Sequence, residues 1–202
     1  MKSRKFLGRK LYSFFETYII TVKAFRMMPV MARAEKNKLV SKQFRERIML
    51  AVTNVNGCPM CSYAHTKMAL ESGMSNSEIQ NLLDSEPNLN HSSIPEEEAA
   101  AIFFAQHYAD SRCKPDKEAW QNIVDRYGRQ KALAILSAIR IITMGNAFGV
   151  RLGGITDRIH GKEFDKRTNP LTSILFLLAS IITIPFVLIH VLVLNLFKIK
   201  YI

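Results

Sequence analysis

Apolar positions along the chain recur at helical spacing, and no stretch shows a sustained strand-like alternation. Between Ser41 and Gly57, the residues Phe44, Ile48, Ala51, Val52 and Val55 fall three or four apart or side by side on one face. Ser41 offers an N-cap oxygen and Asn56 with Gly57 a left-handed stop, so a helix is expected between them. Its opposite side carries Glu46 and Leu50, which predicts enclosure on both faces. A second helix is expected to start near Cys58, with Pro59 in a first-turn position that needs no donor, and to stop at Gly73. Ser75 and Glu78 read as a capping box for a short helix through Leu83, followed by a polar loop from Asp84 to Ile94. Pro95 and three glutamates open a helix toward Asp110, with the acids where the helix dipole favours them. Pro115 to Tyr127 predicts one more, closed by Gly128. Gln130 to Phe148 is the most apolar helix of the soluble part, ahead of a glycine-containing turn at Gly149 to Gly154. Leu11 to Phe25, interrupted by Glu16 and Lys23, reads equally as an interfacial helix or as a first core helix ending near Pro29. The expected fold class is all-α.

Leu171 to Phe197 runs without one charged side chain. As a helix it would extend about 40 Å, against roughly 30 Å of bilayer hydrocarbon, so a tilted span or a kink at Pro185 is expected. A hairpin turning at Pro185 and a core helix are the rival readings. The organisation expected is a basic, interfacial segment over 1–27, a helical domain over 28–168 and a C-terminal membrane anchor over 169–202, with the domain on the cytoplasmic side.

Charge changes this picture by its location. Met1 to Lys38 holds ten Lys and Arg against two Glu, a net +8, and Lys198 and Lys200 add +2 of the total +11. Leu39 to Phe197 is therefore nearly neutral at +1. Basic ends beside an apolar run suit anionic lipid headgroups, where each Lys or Arg near the surface contributes roughly 1 kcal/mol. No nucleic-acid motif accompanies the charge, so no nucleic-acid partner is expected. The basic start and Ala32, Arg33, Ala34 imitate a secretory signal, but Glu16, Lys23 and Arg26 interrupt the hydrophobic region that cleavage needs.

Three cysteines, Cys58, Cys61 and Cys113, are too few for a disulfide-stapled secreted scaffold. Two of them stand in "NGCPMCSYAH", residues 56–65. At a helix start, unpaired backbone N–H groups and the macrodipole favour thiolates. On that helix Cys58 and Cys61 are neighbours at three residues, and Cys61 and His65 at four, so two thiols and an imidazole share a face. The arrangement suits proton transfer to and from sulfur. Zinc held by two thiolates and an imidazole, or two ordinary buried thiols, are the competing readings.

The stretch "LVSKQFRERIMLAVTNVNGCPMCSYAHTKMALESGMSNSEIQNLL" resembles the core of the carboxymuconolactone decarboxylase-like proteins, in their alkylhydroperoxidase D-like branch. The features that carry the resemblance are Arg45 with Glu46, the set Cys58, Cys61 and His65, and a glutamate twelve residues before the first cysteine. The resemblance implies a helical bundle that associates as a homo-oligomer, a trimer or a multiple of it, and a thiol-dependent peroxidase working without metal or other cofactor. It implies that Cys61 attacks a hydroperoxide, that Cys58 resolves the sulfenic acid to a disulfide, that His65 moves the proton and that Glu46 polarises His65. A dithiol reductant protein is then the implied partner. Met60 stands where the founding peroxidases carry a histidine, which puts peroxidase efficiency in doubt. Rival expectations are a protein disulfide reductase or electron relay, and a non-enzymatic membrane-bound assembly protein.

Overall fold

A computed structural model of the chain describes residues 10–83 and 94–202. The described residues form seven helices and no strand: α1 (Phe14–Lys36), α2 (Lys42–Asn56), α3 (Pro59–Glu71), α4 (Asn76–Leu83), α5 (Glu96–Asp110), α6 (Lys117–Ile159) and α7 (Pro170–Leu196). The all-α expectation stands. The polar loop expected from Asp84 lies almost wholly outside the described residues.

Local chemistry accounts for most boundaries. Ser41 Oγ accepts from Phe44 N at 3.0 Å to open α2, and Gly57 closes it at φ 66°. Ser75 and Glu78 exchange the two hydrogen bonds of a capping box before α4. Helix α2 lies at the centre, against α3, α5 and α6, and its Ile48, Leu50, Ala51 and Val52 are fully enclosed. Burying one such Leu or Ile contributes roughly 1.5–3 kcal/mol, so a helix enclosed all round is held by packing rather than by propensity.

Two expectations give way, for a shared reason. Helix α1 does not end at Pro29 but continues to Lys36. Pro29 is exposed, while Met27 and Ala34 on either side of it are buried, so core contacts hold both halves in line across the missing N–H. The same helix crosses the 27/28 position at which a domain boundary was expected. The glycine-containing turn at 149–154 is absent, because α6 runs through it to Ile159. Gly149 and Gly154 serve close approach instead. A Cβ at 154 would strike Thr168, and one at 149 would strike both sulfurs of the cysteine pair. The break expected at Gly128 is present as non-helical backbone at φ 72°, ψ 154° inside the long α6 run.

Helix α7 opens on Asn169, whose side chain accepts from Thr172 N, and continues past Pro185 without the hairpin turn. It is long and apolar enough to cross a membrane. It packs against α1 and α6, and Tyr201 and Ile202 beyond it rest on the hydrophobic core.

Candidate dithiol site

Cys58 is the N-cap of α3, in extended conformation at φ −103° and ψ 101°, and Pro59 follows in the first turn. The Cys58 Sγ accepts from the Cys61 backbone N–H at 3.3 Å, as a capping oxygen would in another helix. Both thiols are buried, at 1% and 8% exposure, with Cys61 the more accessible. A methyl group at Gly149 would lie 2.7 Å from the Cys61 sulfur and 2.9 Å from the Cys58 sulfur, so the two sulfurs sit together against the backbone of α6. Only glycine leaves that space.

The two thiols are unequal. A hydrogen bond from the Cys61 thiol, joined by the Cys61 N–H and by nearby Arg167, holds the Cys58 thiol below the usual cysteine range despite its burial. Donation toward Cys58, together with burial, pushes Cys61 well up. The hydrogen bond between the two thiols thus favours the thiolate form of Cys58 over that of Cys61. Arg167 also donates to Gly57 O at 2.5 Å and pairs with Asp165. Burial pushes the Asp165 carboxyl up, but hydrogen bonds from Arg167 outweigh it and hold it below its ordinary value.

One turn beyond Cys61, His65 Nδ1 lies 2.7 Å from Glu46 Oε2. With Nδ1 donating to the carboxylate oxygen, Nε2 is the ring nitrogen left for proton exchange. Glu46 is almost completely buried, and a buried carboxylate requires partners. It has them in His65 and in Arg45 Nε at 3.4 Å. The four residues expected to carry the site thus form two contacting pairs, Cys58 with Cys61 and Glu46 with His65, linked through α3.

Cys113 is not part of this group. It is buried, 4.0 Å from Tyr12 Oη, and burial raises it. Asn146 ties α6 to α2, its Oδ1 accepting from Thr53 Oγ1 at 3.1 Å. Its Nδ2 and that of Asn56 are buried without a partner among the described residues, and both side chains line a cavity of about 10 Å³, room for one water-sized group. Among the described residues no group of three or more His, Cys, Asp and Glu is gathered in one place to hold a metal ion. Sequence reasoning missed Gly149, Arg167 and Asp165. The glycines of "MGNAFGVRLGG" were a signal of close approach, but nothing marked the two charges.

Fold and site together define an all-helical protein with a buried dithiol at a helix start and a histidine–carboxylate pair one turn away. Residues 24–86, from the middle of α1 to just past α4, match the Carboxymuconolactone decarboxylase family, in agreement with the resemblance carried by Glu46, Cys58, Cys61 and His65. That family includes decarboxylases and alkylhydroperoxidase D-like peroxidases. No curated protein and no solved structure matches the chain.

Proposed function

We propose that the chain is a membrane-associated, thiol-dependent peroxidase that reduces hydroperoxides through a Cys58–Cys61 dithiol and disulfide cycle. The observation that carries this reading is the Glu46–His65 hydrogen bond, which sets a histidine–carboxylate pair on the turn of α3 that follows a paired, buried dithiol.

In the cycle, one proton of the dithiol passes to His65, and the pair keeps the other. With that proton on Cys58, the Cys61 thiolate attacks a peroxide oxygen. The O–O bond breaks, Cys61 becomes a sulfenic acid, and the departing alkoxide leaves as an alcohol with the proton from His65. Cys58 then attacks the Cys61 sulfur, its thiol proton leaves with the hydroxyl as water, and a disulfide remains. A dithiol reductant protein restores both thiols. Cys61 is the more exposed of the two residues, which supports its role as the attacking one. Exposed Met60, Tyr63 and Met68 on α3 give a homo-oligomer an apolar face to use. The apolar α7 supports membrane association; a cytoplasmic side for the domain belongs to the proposal alone.

A second reading has its own observation. A first cysteine held below the usual range by its neighbour's hydrogen bond, with no histidine between the two, favours exchange with a protein disulfide. Stopped-flow oxidation of the pre-reduced chain separates the two. Hydrogen peroxide or an organic hydroperoxide should form the Cys58–Cys61 disulfide faster than it oxidises free cysteine. Glu46→Gln should slow this step by about 10²-fold, the scale of general acid–base catalysis. Thiols that react no faster than free cysteine with peroxide, but quickly with a protein disulfide, would establish the second reading instead.

A further inference from the structure

The side that α7 turns toward the body is the more polar one. Ser173, Ser180, Thr183 and His190 lie on it, buried or half-buried, around Phe176 and Val187. The opposite side is apolar: Leu171, Ile182 and Leu196 keep 66%, 70% and 73% of their surface exposed, and Leu175, Phe186 and Ile189 are exposed between them. A helix covering a water-soluble core has the reverse polarity. Polar side inward and apolar side outward is the arrangement of a helix whose outer solvent is hydrocarbon. Exposed Lys162 and Lys166 precede this face and exposed Lys198 and Lys200 follow it, a charge pattern complementary to anionic headgroups.

The body holds α7 along its whole length. Near its start, Phe176 packs edge-on against Phe14, lies beside Phe148 and sits beneath the Arg151 guanidinium. Further along, Tyr18 Oη is 3.3 Å from His190 Nδ1. In its last turn and past its end, Arg26 donates to Asn195 Oδ1 at 3.1 Å and to Ile199 O at 2.7 Å, and Arg140 donates to Tyr201 O at 2.7 Å. Helix α1 therefore runs beside α7 in the same direction. If α7 crossed a bilayer with these contacts intact, Lys23, Arg26 and Arg140 would cross with it, and ionised side chains in hydrocarbon are costly.

We propose that α7 docks in the plane of an anionic leaflet, sinking its outward face into the boundary between headgroups and acyl chains while both ends stay on the side of the body. The docking rests on the membrane association proposed above and not on the peroxidase assignment, whereas the substrate class drawn from it rests on both. It also narrows the substrate class of the dithiol. Arg167, three residues before Pro170, grips Gly57 O, so the residue before Cys58 is pinned to the entry of the docking helix. Hydroperoxides of amphiphilic lipids, presented at headgroup level, are the substrates this placement fits.

Cysteine accessibility tests the topology, with labelling read at each introduced position by peptide mass spectrometry so that reaction at the buried native Cys58, Cys61 and Cys113 is not counted. Lys166→Cys and Lys200→Cys place exposed thiols before and after α7, and Glu118→Cys places a reference thiol on the body. Each full-length variant, in membrane vesicles of known sidedness, is treated with a membrane-impermeant maleimide before and after permeabilisation. In-plane docking predicts that all three label from one side, with no gain at 166 or 200 relative to 118 on permeabilisation. If one end of α7 is protected while Glu118→Cys labels, or the reverse, the helix spans and the proposal is overturned. Variants recovered only in the soluble fraction overturn the membrane association itself. Peroxide consumption by the same vesicles reports on the peroxidase assignment separately.

Discussion

Gly149 exposes the site to the smallest available change. Alanine there gains roughly 1 kcal/mol of helix propensity over glycine, but the new methyl enters the space of two sulfurs, and overpacking of that kind costs roughly 1–3 kcal/mol. Gly149→Ala should therefore leave a folded protein of equal or modestly lower stability in urea melts. Its dithiol geometry is displaced, and disulfide formation by peroxide, read by stopped flow, should fall by about tenfold or more. A variant that keeps the wild-type rate would show that the sulfurs do not need the α6 backbone. The inequality of the thiols has a pH signature. Because the Cys58 thiol is held below the usual cysteine range, its thiolate persists to lower pH, so its alkylation profile should have its midpoint below that of a free cysteine measured alongside. Cys61→Ala removes the largest cause, the thiol hydrogen bond, and should move the midpoint upward. An unmoved midpoint would assign the effect to the helix start and Arg167.

At the scale of elements, α6 separates stability from chemistry. Gly128 at φ 72°, ψ 154° holds a conformation that residues with a Cβ rarely adopt, and nothing lies within 4 Å of where a Cβ would point. Gly128→Ala should cost about 1–3 kcal/mol through backbone strain alone. Thermal or urea unfolding will show the loss, while the rate of peroxide oxidation stays unchanged. A change in rate would mean that the segment before the break communicates with the dithiol. The elements also show which sequence signals were readable. Ser41, Gly57, Pro59, Ser75 and Gly128 act through their own backbone or the next turn, and each stands where its local chemistry predicts. Pro29 and Gly149 read wrongly as breaks, because the neighbours that override them are distant in sequence: the core around Met27 and Ala34, and the thiols at 58 and 61.

For the whole molecule, the basic termini and the apolar face of α7 predict two separable contributions to membrane binding. Raising ionic strength to 1 M shortens the screening length to about 3 Å, so affinity for anionic vesicles should fall steeply in flotation assays. Residual binding to neutral vesicles should persist, because apolar burial is not screened. Binding abolished entirely by salt would leave α7 without a membrane role.

The sequence by itself determined the helical class, the caps of α2, α3 and α4, the apolar run of α7 and the identities of Glu46, Cys58, Cys61 and His65. Apart from Glu46, which the family resemblance singled out, these follow from periodicity, capping chemistry and spacings of three and four on one helix, all set within a turn or two of the residue concerned. The tertiary structure alone decided that Glu46 meets His65 from another helix, that Gly149 lies against both sulfurs, that Arg167 reaches back to Gly57, and which side of α7 faces outward. Each of these depends on helices meeting across long stretches of chain, and packing, which no local pattern encodes, chooses among the ways they can meet.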